Sequence, residues 1–176
     1  MEASPLSTGD DLRDFPTSLF EHFPTLIWRA GTDTRCNYFN KTWLEFTGRS
    51  LAEEVGNGWT KGIHADDFDR CVRTYLEHFA VRTPFEMEYR LRRHDGEYRW
   101  IIDAGRPIYD PDGEFAGYIG SCLDITDRRN TEAELRERET RLGTLLASMG
   151  EGVVMRDASG RLLAHNVAAC EILGLS

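Results

Sequence analysis

The sequence predicts an α+β domain in which antiparallel strands and short helices lead, without a break, into a polar C-terminal helix. Three observations carry this. Residues 85–92, FEMEYRLR, alternate apolar and polar side chains, the period-two pattern of a strand with one buried face. Asp95-Gly96 and Asp112-Gly113 punctuate that run and two further ones, and Asp-Gly between alternating runs is a hairpin signal. Asp124-Ile125-Thr126 closes the third run, after which the chain becomes densely charged with mixed signs, as in a solvated helix.

In chain order, residues 1–14 form a leader of small and acidic residues, and Ser18 to Phe23 a short helix ended by Pro24. Leu26–Ala30 and Cys36–Phe39 read as strands around a turn at Gly31–Thr34. Asn40 is a good N-cap for a helix carrying Trp43, Leu44 and Phe46, and Gly48 stops it. Ser50-Leu51-Ala52-Glu53 fits a capping box. After a loop holding Trp59, a long helix starts at His64-Ala65-Asp66-Asp67, with Phe68, Val72, Tyr75, Leu76 and Phe79 at helical spacing. Tyr98, Trp100, Ile102 and Ala104 share one face of the next strand, and Arg99, Ile101 and Asp103 the other. The strand from Phe115 to Ile125 is apolar on both faces, which predicts a central position.

From residue 127 onward Leu135, Leu142 and Met149 lie seven apart and Leu145 falls three after Leu142. This is a heptad seam, weak in its first half because Thr131 and Arg138 fill the intervening positions. A helix this polar gains little stability alone, so a parallel homodimeric coiled coil is expected over a lone docked helix. Arg35, Asn40, Glu45, Gly48 and Ser50 recur at a constant offset as Arg161, Asn166, Glu171, Gly174 and Ser176, and Ile27 and Phe46 recur as Val153 and Ile172. The expected organisation is a leader and short helix over 1–23, a domain over 24–126, a linker helix over 127–149, and the start of a second copy over 150–176. That last piece cannot form a core alone, so a longer protein is expected.

The chain has 176 residues, 40% hydrophobic and 29% charged, with a formal net charge of −9, which argues against nucleic-acid binding. No apolar run approaches the roughly 20 residues of a membrane span, and the N-terminus lacks a signal region, so a cytoplasmic protein is expected. Cys36, Cys71, Cys122 and Cys170 match no zinc or redox spacing and read as free thiols in a reducing compartment.

Taken in order, Tyr38-Phe39-Asn40, Trp43, Phe46-Thr47-Gly48, His64-Ala65-Asp66-Asp67, Phe85-Glu86-Met87-Glu88-Tyr89-Arg90, Asp95-Gly96, Arg99-Trp100, Asp112-Gly113, Gly117 and Asp124-Ile125-Thr126 resemble a PAS domain with its C-terminal PAC motif. The resemblance covers residues 24–129; Ala65 stands where the family usually has proline. It implies a five-stranded antiparallel sheet of order 2-1-5-4-3 with helices on one face. It also implies a sensory module of a bacterial histidine kinase, diguanylate cyclase or phosphodiesterase, which binds a small molecule or dimerises and relays the change through its C-terminal helix to an output domain. A ligand-free dimerisation spacer is the alternative.

Trp43, Trp59, Tyr75, Phe79, Tyr89 and Trp100 are candidates to line an interior cavity, although core packing explains them more simply. His78 sits where haem-binding relatives place an axial ligand, and Cys71 is the cysteine a flavin photoreceptor could recruit. Asp69-Arg70-Cys71-Val72 departs from the photoreceptor motif, a lone histidine is weak evidence for iron, and neither cofactor is required. His64 reads as ordering the loop before the long helix, and Glu86 and Glu88 as a solvated surface pair. No catalytic constellation or metal cluster is visible. Asp124, Thr126 and Asp127 are the candidate signal-transfer corner, with Asp127 or Thr126 expected to cap the final helix.

Overall fold

A computed structural model describes residues 17–148 and 151–173. The leader through residue 16 and Met149, Gly174 and Ser176 lie outside the described residues. The chain divides into two units after Thr126.

The first unit opens with α1 (Thr17–Phe20), shorter than expected, and then runs β1 (Leu26–Ala30), β2 (Cys36–Phe39), α2 (Lys41–Thr47), α3 (Leu51–Glu54) and a 3-10 turn over Gly58–Gly62. α4 (Ala65–Val81), β3 (Phe85–Arg92), β4 (Tyr98–Tyr109) and β5 (Phe115–Asp124) complete it. The five strands form one antiparallel sheet in the order β2-β1-β5-β4-β3. β5 is central, as its two apolar faces predict.

One face of this sheet meets the helices. Tyr89, Leu91, Ile101, Tyr118 and Cys122 are fully buried there against Trp43 of α2, Trp59 of the 3-10 turn, and Cys71, Tyr75 and Phe79 of α4. Local chemistry seats each helix. Asn40 caps α2 by accepting from the Trp43 N–H at 3.0 Å, and Gly48 ends it with φ 67°, a left-handed conformation that costs glycine no strain. In α3 the Ser50 N–H donates to Glu53 Oε2 at 2.9 Å, the capping-box contact. His64 caps α4 by accepting from the Asp66 N–H at 3.2 Å. Asp67 in the first turn of α4 is buried and accepts from the backbone N–H of Arg90 (3.1 Å) and from its Nε (2.8 Å), which pins the helix start to β3.

The second unit contains most of α5 (Thr126–Ser148), a 23-residue helix whose ion pairs Arg128–Glu132 and Arg138–Glu134 are i,i+4 neighbours. Leu135, Leu142 and Leu145 are exposed on it. β6 (Val154–Arg156), β7 (Leu162–His165) and α6 (Val167–Leu173) follow. Their geometry repeats that of β1, β2 and α2 pair by pair. Trp28↔Phe39, Arg29↔Tyr38 and Ala30↔Cys36 become Val154↔His165, Met155↔Ala164 and Arg156↔Leu162, with the register shift at the same place. Asn40 Oδ1 accepts from Ile27 N and Trp43 N, and Asn166 Oδ1 accepts from Val153 N and Ala169 N. Thr34 and Gly160, equivalent in the two turns, both have positive φ. The two hairpins differ in burial: Trp28 and Cys36 are buried, while Val154 and Leu162 are exposed.

Candidate functional site

Two places in the first unit carry more than packing. The first is a polar cluster inside the core. Asp103 points from β4 to the helix-covered face and is 3% exposed. The Trp28 indole N–H donates to its Oδ1 at 2.9 Å, and the Tyr89 hydroxyl lies 3.5 Å from its Oδ2. Cys122 of β5 is its cross-strand partner. Burial pushes the Asp103 carboxyl up to about 6, and the contacts from Trp28, Cys122 and Tyr89 only partly offset this. Beside it a small cavity is lined by Trp28, Cys36, Trp59, Tyr75 and Asp103.

The second place is the corner where β5 becomes α5. The Arg99 Nε donates to Asp124 Oδ2 at 2.8 Å, and the Thr126 N–H donates to Asp124 Oδ1 at 2.9 Å. The Trp100 N–H donates to the Thr126 hydroxyl oxygen at 2.8 Å, and the Ile125 N–H donates to the Trp100 carbonyl at 2.8 Å. Burial pushes the Asp124 carboxyl up, but the bonds from Thr126 and Arg99 outweigh it and hold it below the usual carboxylate range. Asp124 therefore takes the first free N–H of α5. The expected cap by Thr126 is corrected accordingly: its hydroxyl is turned back to β4. Thr126, where the helix begins, is thus fastened to the ends of two strands.

The structure separates the six cavity candidates and His78. Trp59 and Tyr75 line the cavity, and Tyr89 reaches Asp103 beside it. Phe79 stacks on Tyr118 with centroids 4.8 Å apart, and Trp43 packs on Phe39 at 4.8 Å; both are core residues. His78 is half-buried at the end of α4, where its Nδ1 lies 2.9 Å from the Thr83 hydroxyl. Trp100 is on the opposite face of the sheet: it pairs with Arg90, whose guanidinium lies 5.4 Å from its ring, whereas Tyr89 pairs with Ile101. Antiparallel partners project to the same side, so Trp100 cannot join Tyr89 in the core. Cys71 is fully buried, and burial pushes its thiol up to about 11, away from the reactive thiolate.

Sequence reasoning missed Trp28, Cys36 and Asp103. The signal for Asp103 was its alternation with Ile101 and Gly105, but the neighbouring face with Tyr98, Trp100 and Ile102 is more apolar and looks more like the core side.

Sheet order, helical cover and the β5–α5 corner define a small α+β domain whose central strand runs on into a helix. Residues 37–122 match the family model described as the PAS fold, and this segment of the chain is a PAS domain. The uncharacterized protein y4lL of Sinorhizobium fredii is 41% identical over 111 residues, 63% of this chain and 13% of its own length. The probable diguanylate cyclase DgcE of Escherichia coli is 25% identical over 116 residues, 66% of this chain and 10% of its own. A sensory box histidine kinase/response regulator structure from Burkholderia thailandensis superposes with TM-score 0.51 at 28% identity, covering 67% of this chain and 89% of that one. The chain thus spans a small part of the curated relatives it matches. No described helix is long and apolar enough to cross a membrane.

Proposed function

We propose that residues 24–126 are the sensory PAS domain of a multidomain signal-transduction protein, and that a change in the core around Asp103 is passed through Asp124 and Thr126 into α5 and on to an output domain. The observation that carries this reading is the corner itself: two hydrogen bonds tie Thr126, the first residue of α5, to Asp124 and Trp100, and two more, Arg99–Asp124 and Ile125–Trp100, hold β4 to the end of β5 and the residue that follows it. A shift of one strand against the other must break them or move the helix. The relatives support a histidine kinase or diguanylate cyclase as the output, with the catalysis residing there and not in this domain. The free thiols of Cys36, Cys71, Cys122 and Cys170 fit a reducing, cytoplasmic setting.

Substituting Asp124→Ala is expected to leave the sheet folded at a cost of about 1 kcal/mol, typical of a lost cap, and to uncouple the output of the full-length protein from its signal. Circular dichroism and an output assay check the two halves. Regulation that survives the substitution would count against the proposal.

We further propose that α5 pairs with its copy as a parallel coiled coil. Support comes from the exposed Leu135, Leu142 and Leu145 on a helix otherwise dressed in ion pairs. Light scattering should show the 176-residue chain as a dimer and Leu142→Lys as a monomer with an unchanged first unit. Residues 150–176 are read as the opening hairpin and helix of a second PAS domain, supported by the shared register, by the Asn40/Asn166 bonds, and by apolar side chains that the first copy buries and this one exposes.

A further inference from the structure

We propose that the cavity beside Asp103 binds a small ammonium group, either the free ammonium ion or the head of a short primary amine. This rests on the reading of the core as the sensing region and names the chemistry it senses.

The first ground is charge. The Asp103 partners are neutral: the Trp28 indole, the Tyr89 hydroxyl and the Cys122 thiol. The titratable groups facing it are Cys36 of β2, Cys71 and Tyr75 of α4, Tyr89 of β3 and Cys122 of β5. Burial raises all five, so they stay neutral, and no Arg, Lys or His is among them. An ionised carboxylate taken out of water without a counter-charge is strongly penalised, and a cation at its side removes the penalty.

Size and walls supply the other grounds. The cavity volume is about 10 Å³. That admits one group the size of water, which is also the size of an ammonium group. The walls are aromatic. Trp59 and Trp28 each meet Tyr75 edge to face, with centroids 5.8 and 6.0 Å apart. Indole and phenol rings beside a carboxylate attract an organic cation through their π-systems. Sodium, which requires several oxygen ligands, finds one carboxylate here. The Trp59 Nε1 has no protein partner, and this leaves a competing reading in which a neutral ligand accepts from it.

The test titrates the 176-residue chain near neutral pH with ammonium chloride, methylammonium chloride and, as a control, sodium chloride at equal ionic strength, reading tryptophan fluorescence and melting temperature. Saturable change with an ammonium salt and none with sodium is expected; the tighter of the two salts tells the free ion from the amine head. Asp103→Asn should weaken binding about tenfold or more, the loss expected for a charged hydrogen bond. Trp59→Phe keeps an aromatic wall and should retain binding. In native protein below pH 6, binding should release protons as Asp103 ionises, a readout by calorimetry that needs no variant. No response to either ammonium salt, no proton release, or loss of binding in a folded Trp59→Phe each overturns the proposal. The Asp124→Ala test of the sensory reading does not depend on the ligand and stands apart from these outcomes.

Discussion

Asn40→Ala should destabilise the first unit by about 3–4 kcal/mol, because two buried donors lose their acceptor at about 1–3 kcal/mol each. Asn40 is fully buried. Its Oδ1 accepts from Ile27 N and Trp43 N, both at 3.0 Å, and its Nδ2 donates to the carbonyls of Thr25 and Phe20, both at 2.9 Å. One side chain therefore caps α2, bonds the β1 backbone at Ile27 just past the end of β2, and ties down the end of α1. Alanine leaves the Ile27 and Trp43 N–H groups where water does not reach. For a domain of this size the loss corresponds to a fall in melting temperature of roughly 10–20 °C. Asn40→Asp keeps the acceptor and gives up the two donations, so it should fall between native and alanine. Thermal denaturation followed by far-ultraviolet circular dichroism makes the comparison. A loss below about 1 kcal/mol, the size of an ordinary exposed cap, would show that the four bonds do not act together.

The same residue shows how far the sequence reaches. Asn40 was legible as a cap because a polar residue before an apolar helical run has one good use there. Its repetition at Asn166 was legible as spacing, and the matching bonds give that spacing a cause. The hairpins were legible too, since Asp-Gly and period-two alternation are local signals; Gly96 and Gly113 take φ 88° and 86° as those turns require. The sheet order came from the family resemblance and not from the strands themselves, because alternation states which residues share a face and not which strand lies beside which. The site was less legible for the same reason. Trp100 has the composition of a cavity residue and the wrong parity, and parity against β3 is set by a register that only the folded hairpin displays. Asp103 has the right parity, but a carboxylate reads as surface until Trp28, from a strand 75 positions away, is seen to donate to it.

That buried carboxylate should give the domain an inverted acid response. Most carboxylates that matter to folding are held below their usual range in the native state, and acid removes their contribution; Asp103 runs the other way. Its folded value of about 6 lies above the ordinary 3.8, so the native state holds the proton more tightly than the unfolded chain. The contribution is full below about pH 4 and is lost as pH rises through about 6, and a shift of about two units corresponds to about 3 kcal/mol. Asp103→Asn removes the titration while keeping an oxygen for the Trp28 N–H and offering an N–H toward Tyr89. Its melting temperature should exceed that of the native protein at neutral pH, the gap closing near pH 4. Thermal melts across that range, with both proteins side by side, check the sign. An Asn variant no more stable than native at neutral pH would mean that the carboxylate already has its counter-charge in the unliganded protein, and the ammonium site would lose its reason to exist. A stabilised variant that no longer responds to ammonium would tie the two together: the charge that weakens the core when alone is the one that makes it receptive.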